Sequence, residues 1–275
     1  LDATARVLLR AFDDVADRHG FPRDLSGVEV ARDIVRYKSG HRQTFGVVAL
    51  VDDRVVGSIF MLRSDPICGI GPVTVDPRQQ GGGVGRLLVQ AAIDNAADRD
   101  GIRLTQDAYN VVSLALYAAL GFEVKEPIVE MTGRPRGTAP PDAELRPLTL
   151  AELAECAALH RQVHGIDREN ELREAIRLSS PHYLRRNGRI TAYTSRLPIV
   201  YDAHGVAVTE DDLRALILRS AARTGGTVSL VLPTRQASLF RWCLAQGLRV
   251  AKPMNLMARG VYHEPRGAWF PSVLY

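Results

Sequence analysis

The sequence predicts an α/β (α+β) fold made of two tandem units, each a mixed, mostly antiparallel sheet flanked by helices. Three observations predict it. The chain has 275 residues, more than the roughly 100–200 of a usual domain. Strand-like and helix-like hydrophobic periods alternate along it. A pattern of the first half also returns in the second: Gly121, Phe122, Pro127 and Met131 recur 126 positions later as Gly247, Leu248, Pro253 and Met257, and Leu87 recurs as Leu213. The expected domains are residues 1–135 and 142–275, with Gly, Pro and small polar residues over 133–141 suited to a linker.

Each element has its own signal. Residues 2–14 carry Ala5, Leu8, Leu9 and Phe12 at helical spacing, and 28–37 place Val30, Ile34 and Tyr37 on one stripe. Two apolar runs, 45–51 and 55–62, flank Asp52-Asp53 and read as a β-hairpin. A strand over 67–75 runs into Asp76-Pro77 and a glycine cluster, from which an amphipathic helix emerges over 85–97. A short strand at 102–105, a helix at 113–119 and a strand at 122–131, broken by Pro127, complete the first copy. In the second copy, 144–148 reads as a strand leading into a helix at 150–163. Asn187-Gly188, the strongest short turn signal in the chain, makes a hairpin of 183–185 and 189–193. Helix, strand, helix and strand follow. The first copy opens directly on its helix and Met is absent from position 1, so a strand ahead of Leu1 is expected in the natural protein.

Composition narrows the function classes. With 46% hydrophobic and 24% charged residues, the chain does not resemble a disordered one. No apolar run reaches the roughly 18–20 residues of a membrane-spanning helix, and no signal peptide is recognisable. Cys68, Cys156 and Cys243 lie far apart, which argues against a disulfide framework or zinc cluster and makes a reducing, cytoplasmic setting the expectation. The net charge of +4 suits an anionic ligand, yet Arg and Asp are interspersed, so no nucleic-acid-binding run stands out. The many arginines and alanines, against only Lys38, Lys125 and Lys252, resemble the product of a GC-rich bacterial genome.

The most informative stretch is Val73-Thr74-Val75-Asp76-Pro77-Arg78-Gln79-Gln80-Gly81-Gly82-Gly83-Val84-Gly85-Arg86. A strand stops at a proline, passes through glycines and opens a helix. Glycines let backbone N–H groups turn inward, and a helix start adds partial positive charge. Together they form a cradle for a pyrophosphate, to which Arg86 could add a charge-assisted contact. The segment is neither a Walker loop nor a full dinucleotide fingerprint, because no Lys-Ser/Thr pair follows and the spacing and acidic partner are missing.

At these residues the chain resembles the GNAT superfamily of acyl-CoA-dependent N-acetyltransferases, whose signature Gln/Arg-x-x-Gly-x-Gly/Ala is matched by residues 80–85. A second signature is matched by Asn110, Ser113, Leu116, Tyr117, Leu120, Gly121 and Phe122. The resemblance covers residues 1–131 well and the second half in outline. It implies that backbone groups of Val73, Thr74 and Val75 pair with the pantetheine arm of acetyl-CoA. It implies that an N–H near Val75 polarises the thioester carbonyl and that Gln80, Gly81, Gly82, Gly83, Val84, Gly85 and Arg86 hold the pyrophosphate. Asn110 and Ser113 would lie along the pantetheine, and Tyr117 would donate its proton to the departing thiolate. Read alone, Tyr117 is a core tyrosine of an amphipathic helix; its place seven residues after Asn110 and four before Gly121 is what favours the acid role.

The general base departs from the family pattern. Many members carry a glutamate eleven residues before the signature Gln, where this chain has Gly69. Asp65, four residues earlier, could share its face by strand alternation, or could be a solvated residue at a strand start. A base acting through water, or none, stays open. Cys68 reads as a small buried apolar residue.

The second copy reads as degenerate. Its connection from Val208 to Leu213 is too short for the glycine loop, Glu210, Asp211 and Asp212 open the helix, and Cys243 and Gln236 stand where Tyr117 and Asn110 stand in the first. Its expected role is structural or cleft-forming, with Tyr193, Tyr201, Asp202 and His204 as candidate lining. Glu152, Cys156, His160 and His164 recur on one helix face, but no second cluster completes a metal site and none is expected. The apolar end, Trp269-Phe270-Pro271-Ser272-Val273-Leu274-Tyr275, reads as docked packing; tandem relatives suggest the sharper idea that the Tyr275 carboxylate serves as a base. The expectation is an N-acetyltransferase acting on a primary amine of a small molecule or peptide, with acetyl-CoA as cosubstrate and no metal, as a monomer or homodimer without nucleic-acid or membrane partners. The alternative is a non-catalytic CoA-binding sensor or scaffold.

Overall fold

The structure, a computed structural model, describes residues 1–273. The chain divides into two compact units, the first comprising 1–125 with 257–261 and the second 126–256 with 262–273.

The first unit opens on two helices, α1 (Asp2–His19) and α2 (Val28–Gly40), followed by β1 (Thr44–Val51), β2 (Arg54–Leu62) and β3 (Ile67–Val75). A 3-10 turn at Pro77–Gln79 leads to α3 (Val84–Asn95), then β4 (Gly101–Asp107) and α4 (Val111–Ala119). α1 runs five residues past the predicted end because Ala16 is still buried, and it stops at Gly20, whose φ of 70° suits the left-handed cap. Asp52 and Asp53 both adopt left-handed φ, 47° and 59°, as a tight hairpin turn requires. Strand alternation on β2 splits the core. Ile59 and Met61 join the cluster of α3 and α4 side chains, while Phe60 joins that of α1 and α2. Met257, from the far end of the chain, completes the first of these clusters.

β1, β2 and β3 pair antiparallel, and β3 pairs with β4 in parallel. That last pairing holds only at Ile67–Gly101, Cys68–Ile102 and Gly69–Arg103. Beyond it the two strands part, leaving an open wedge between 70–75 and 104–107.

The second unit repeats the order: β6 (Glu144–Pro147), α5 (Leu153–His164), α6 (Glu169–Leu178), β7 (His182–Arg186), β8 (Arg189–Thr194), β9 (Gly205–Ala207), α7 (Glu210–Thr224), β10 (Val228–Pro233) and α8 (Ala237–Ala245). Two long strands, β5 (Glu123–Gly133) and β11 (Arg249–Gly260), follow α4 and α8, and the bounds of α8 lie 126 residues beyond those of α4. A last strand, β12 (Ala268–Phe270), pairs antiparallel with β9.

One expectation needs correcting, and one helix was not expected. Pro127 does not break its strand: β5 runs through it, because β10 pairs only with Ile128 onward and the Pro127 carbonyl still accepts from the Thr234 N–H at 3.0 Å. The helix α6 had no prediction, since Leu172 and Ala175 are the only residues it buries. Among the described residues no helix is long and apolar enough to cross a membrane.

Candidate active site

The wedge of the first unit is lined by backbone. The Asp76 N–H bonds the Val56 carbonyl on β2 at 2.7 Å. Antiparallel alternation therefore turns the N–H and C=O groups of Val75 and Val73 away from β2, into the wedge. Thr74 faces the other way; its buried hydroxyl bonds that of Ser58 at 2.8 Å. The Gln80 amide reaches the Val75 carbonyl at 3.4 Å, on the wedge side.

Where β3 ends, Asp76 fixes the loop. Its carboxylate is buried and accepts from Arg10 at 2.7 Å and from the Arg78 guanidinium at 2.9 and 3.0 Å, with a further bond from the Arg78 N–H at 3.1 Å. The Arg78 hydrogen bonds, aided by Arg10, hold Asp76 well below the usual carboxylate range despite its burial. Gly81 and Gly83 then take φ of 85° and 84°, conformations that disfavour any residue with a Cβ, and both look onto open space. Gly83 caps α3, yet no side chain caps this helix and no acidic residue stands in its first turn. Its leading N–H groups and its positive dipole end face outward together with an exposed Arg86.

Gly85 brings the parts together. A Cβ there would lie 3.2 Å from Leu116 on α4 and 3.7 Å from Val75 on β3, so the absence of a side chain lets the start of α3 close on both. α4 begins at Asn110, whose side-chain oxygen accepts from the Ser113 N–H at 3.2 Å. The Ser113 hydroxyl returns a bond to the Asn110 carbonyl at 3.0 Å, and Gln106 donates to both at 3.0 and 2.8 Å. One turn on, Tyr117 is buried in the core cluster, edge-on to Phe122 at 5.9 Å. Burial, and secondarily the charge of Asp107, raise its phenol far above the ordinary value, so it stays protonated at any physiological pH.

The structure thus brings Gln80 and Gly85 to Val75 at the end of β3 and Leu116 of α4 to Gly85, with Val73 and Tyr117 in the same apolar cluster. Asp65 is not among them. It is buried in the turn before β3, ten residues and about 30 Å of extended strand from Val75. Gly69 stands at the apex opposite Arg103, whose side chain is 1% exposed. Sequence reasoning missed the contribution of α1. Arg10, Asp14 and Arg18 recur every fourth residue, and this face meets the loop through Asp76 and, at 3.4 Å, through Gln80. His19 and Phe21 lie on Tyr109, the latter stacked at 4.0 Å, just before α4.

The other candidates fall inside the second unit. Glu152 bonds the Thr149 N–H and hydroxyl, and burial pushes the Cys156 thiol up. His160 bonds the Tyr193 hydroxyl at 3.0 Å, and that hydroxyl meets His204 at 3.2 Å. Asp202 pairs with Arg196 at 2.6 Å, and Tyr201 is partly exposed. Among the described residues no His, Cys, Asp and Glu group is arranged to hold a metal. Tyr275 lies outside the described residues.

Residues 6–122 match the acetyltransferase (GNAT) family model. A mycothiol acetyltransferase of Kocuria rhizophila is 47% identical over 80 residues, which is 26% of this chain and 26% of that protein, so the match spans about a quarter of the relative. The fold resembles that of a protein of Pyrococcus horikoshii assigned as an acetyltransferase (TM-score 0.75, 14% identity, 100% of this chain and 93% of that one). It also resembles a tandem GNAT protein from the clavulanic acid biosynthesis pathway (TM-score 0.56, 14% identity, 94% of each chain). At such identities the likeness is one of fold. The segment 6–122, somewhat under half of the chain, is therefore what carries the likeness to the GNAT acetyltransferase family.

Proposed function

We propose that the first unit binds acetyl-CoA and transfers its acetyl group directly to a primary amine, while the second unit has a structural role. The observation that carries this reading is the continuity of the wedge with the glycine loop. An extended amide-bearing arm can pair with the Val73 and Val75 backbone, and a pyrophosphate can sit on the uncapped start of α3. The amine nitrogen forms its bond to the acyl carbon as the C–S bond breaks, and the N–H groups turned into the wedge steady the negative charge on the carbonyl oxygen. Tyr117, held protonated, gives its proton to the thiolate and regains one from solvent, to which the amine's own proton leaves directly or through a bound water. Positioning carries the rest of the rate, because two reactants held in line no longer need to meet by diffusion.

A second reading, a CoA-binding sensor without chemistry, is favoured by the side-chain-free Gly69 and the remote Asp65. Calorimetric titration with acetyl-CoA tests the binding common to both, and one site per chain is expected. Acyl transfer to a panel of amines, followed by release of free thiol, separates them. Tyr117→Phe is expected to lower turnover by about 10²–10³-fold and leave acetyl-CoA affinity unchanged. Wild-type protein that binds acetyl-CoA but releases no thiol with any amine favours the sensor; absence of binding overturns both.

A further inference from the structure

The second unit has its own place for an extended arm, and it is filled. In the first unit β3 and β4 part to leave the wedge. In the second, β9 and β10 do not pair at all, and β12 lies between them, laddered to β9 through Ala268–Ala207, Trp269–Val206 and Phe270–Gly205 and lying against β10. Gln236 stands at the start of α8 as Asn110 does at the start of α4, but its side chain does not cap the helix. Its amide nitrogen instead donates to the Trp269 carbonyl at 2.7 Å, and its carbonyl accepts from the Trp269 N–H at 3.1 Å. A side-chain amide that reads both backbone groups of one residue is a recognition contact for an extended amide chain.

The side chains are seated as well. The Phe270 ring rests on Gly205, where a Cβ would come within 2.5 Å of it, and Trp269 meets the His164 ring edge-on at 4.9 Å. Both ends of the segment are held, by Arg266 N–H to the Val163 carbonyl at 2.7 Å and by Val273 N–H to the Tyr201 carbonyl at 2.9 Å. The absence of a glycine loop and the three carboxylates at the start of α7 make the slot unsuited to a nucleotide, but they leave a peptide segment undisturbed.

We propose that the arm-binding slot of the second unit has become an internal strand-binding site, specific for an extended apolar peptide with an aromatic pair, and that residues 268–270 are its resident ligand. Gln236 and Gly205 are its recognition residues. The parallel with Asn110 rests on the acetyl-CoA reading of the first unit; the slot itself does not.

Hydrogen exchange on the full chain tests it. In Gln236→Leu and in Gly205→Ala the amides of 268–270 are expected to exchange at least tenfold faster than in the wild type, with β5 and β10 amides unchanged. Unaltered exchange at 268–270 in both variants overturns the proposal. In a second experiment, a chain ending at Gly267 is offered a fluorescent peptide of residues 266–273. Saturable one-to-one binding that weakens at least tenfold in Gln236→Leu supports the slot. A truncated chain that keeps its helical circular dichroism and takes no peptide, or takes it equally well without Gln236, overturns it; if truncation unfolds the unit, the exchange measurement decides. Acetyl-CoA titration of the same truncated chain reads the first unit separately: its failure counts against the acetyltransferase reading and leaves the slot standing.

Discussion

Two helices open at equivalent places in the two units, with opposite chemistry. α3 starts at a left-handed glycine, without a side-chain cap and without acidic residues. α7 starts at Thr209, whose hydroxyl accepts from the Asp212 N–H at 3.2 Å and donates to the Asp212 carboxylate at 2.6 Å, and Glu210, Asp211 and Asp212 fill its first turn. Arg186 adds a contact to Asp212 at 3.1 Å. The first start leaves N–H groups and dipole for an anion, whereas the second satisfies them from within. On the acetyl-CoA reading, an anion site is therefore made as much by what the sequence withholds as by what it supplies.

The strongest way to break this contrast is Gly83→Glu. It forces a Cβ into the left-handed region and puts a carboxylate where α3 now has none. Acetyl-CoA affinity is expected to fall about a thousandfold, or ~4 kcal/mol, by calorimetry. Both tryptophans, Trp242 and Trp269, belong to the second unit, so unfolding followed by tryptophan fluorescence should not move. Affinity that survives the substitution would remove the anion site from α3.

The next effect sits in the second unit and is driven by pH. Burial lowers His204 to about 4, with Glu171 partly opposing, so the ring is neutral in the fold. Glu171, pushed up by burial but more strongly down by Arg168 and His204, lies at about 2. In the unfolded chain a histidine titrates near 6.5. Below that pH the unfolded state takes up a proton that the fold refuses, so stability falls as pH drops from about 6.5 to 4 and the His204 contribution levels off below that. The loss is expected to reach about 3 kcal/mol, read as a falling urea midpoint of tryptophan fluorescence. His204→Gln should flatten the profile in this window.

Much of this was legible in the sequence where the chain repeats a period or breaks it sharply. β3 has the predicted bounds, because its apolar run ends at Asp76-Pro77. α4 and α8 emerge from one spacing repeated 126 residues apart. What was illegible had no period to read. β9 and β12 are three residues each, too short for alternation to register, and α6 is polar on most of its surface. Asp65 illustrates another limit: strand phase gives a face but says nothing about distance along the strand. Gln236 was visible only as a missing asparagine, since its partner lies 33 residues on in a segment without a strand signal.

A smaller effect sharpens the role of the loop anchor. Asp76→Asn removes the charge that gathers Arg10 and Arg78 while keeping the shape of the site. Both arginines are substantially solvated, which limits their worth, so a loss of about 2 kcal/mol is expected, carried mainly by the buried acceptor. It should appear as faster hydrogen exchange at the Asp76 and Val56 ends of β3 and β2. Acetyl-CoA affinity should weaken severalfold, because the loop is displaced without being blocked.

The smallest expected effect addresses the other helix start. Thr209→Ala deletes the hydroxyl that satisfies one leading N–H of α7, a change worth about 1 kcal/mol in ordinary helix caps. The three carboxylates remain, so the start still repels an anion. Thr209→Ala should therefore lower the urea midpoint seen by tryptophan fluorescence without creating a second acetyl-CoA site. A stoichiometry that stays at one per chain would assign the exclusion to the carboxylates and the short connection, with the cap contributing stability alone. A second equivalent appearing on loss of one hydroxyl would instead mean that capping by itself separates the two units.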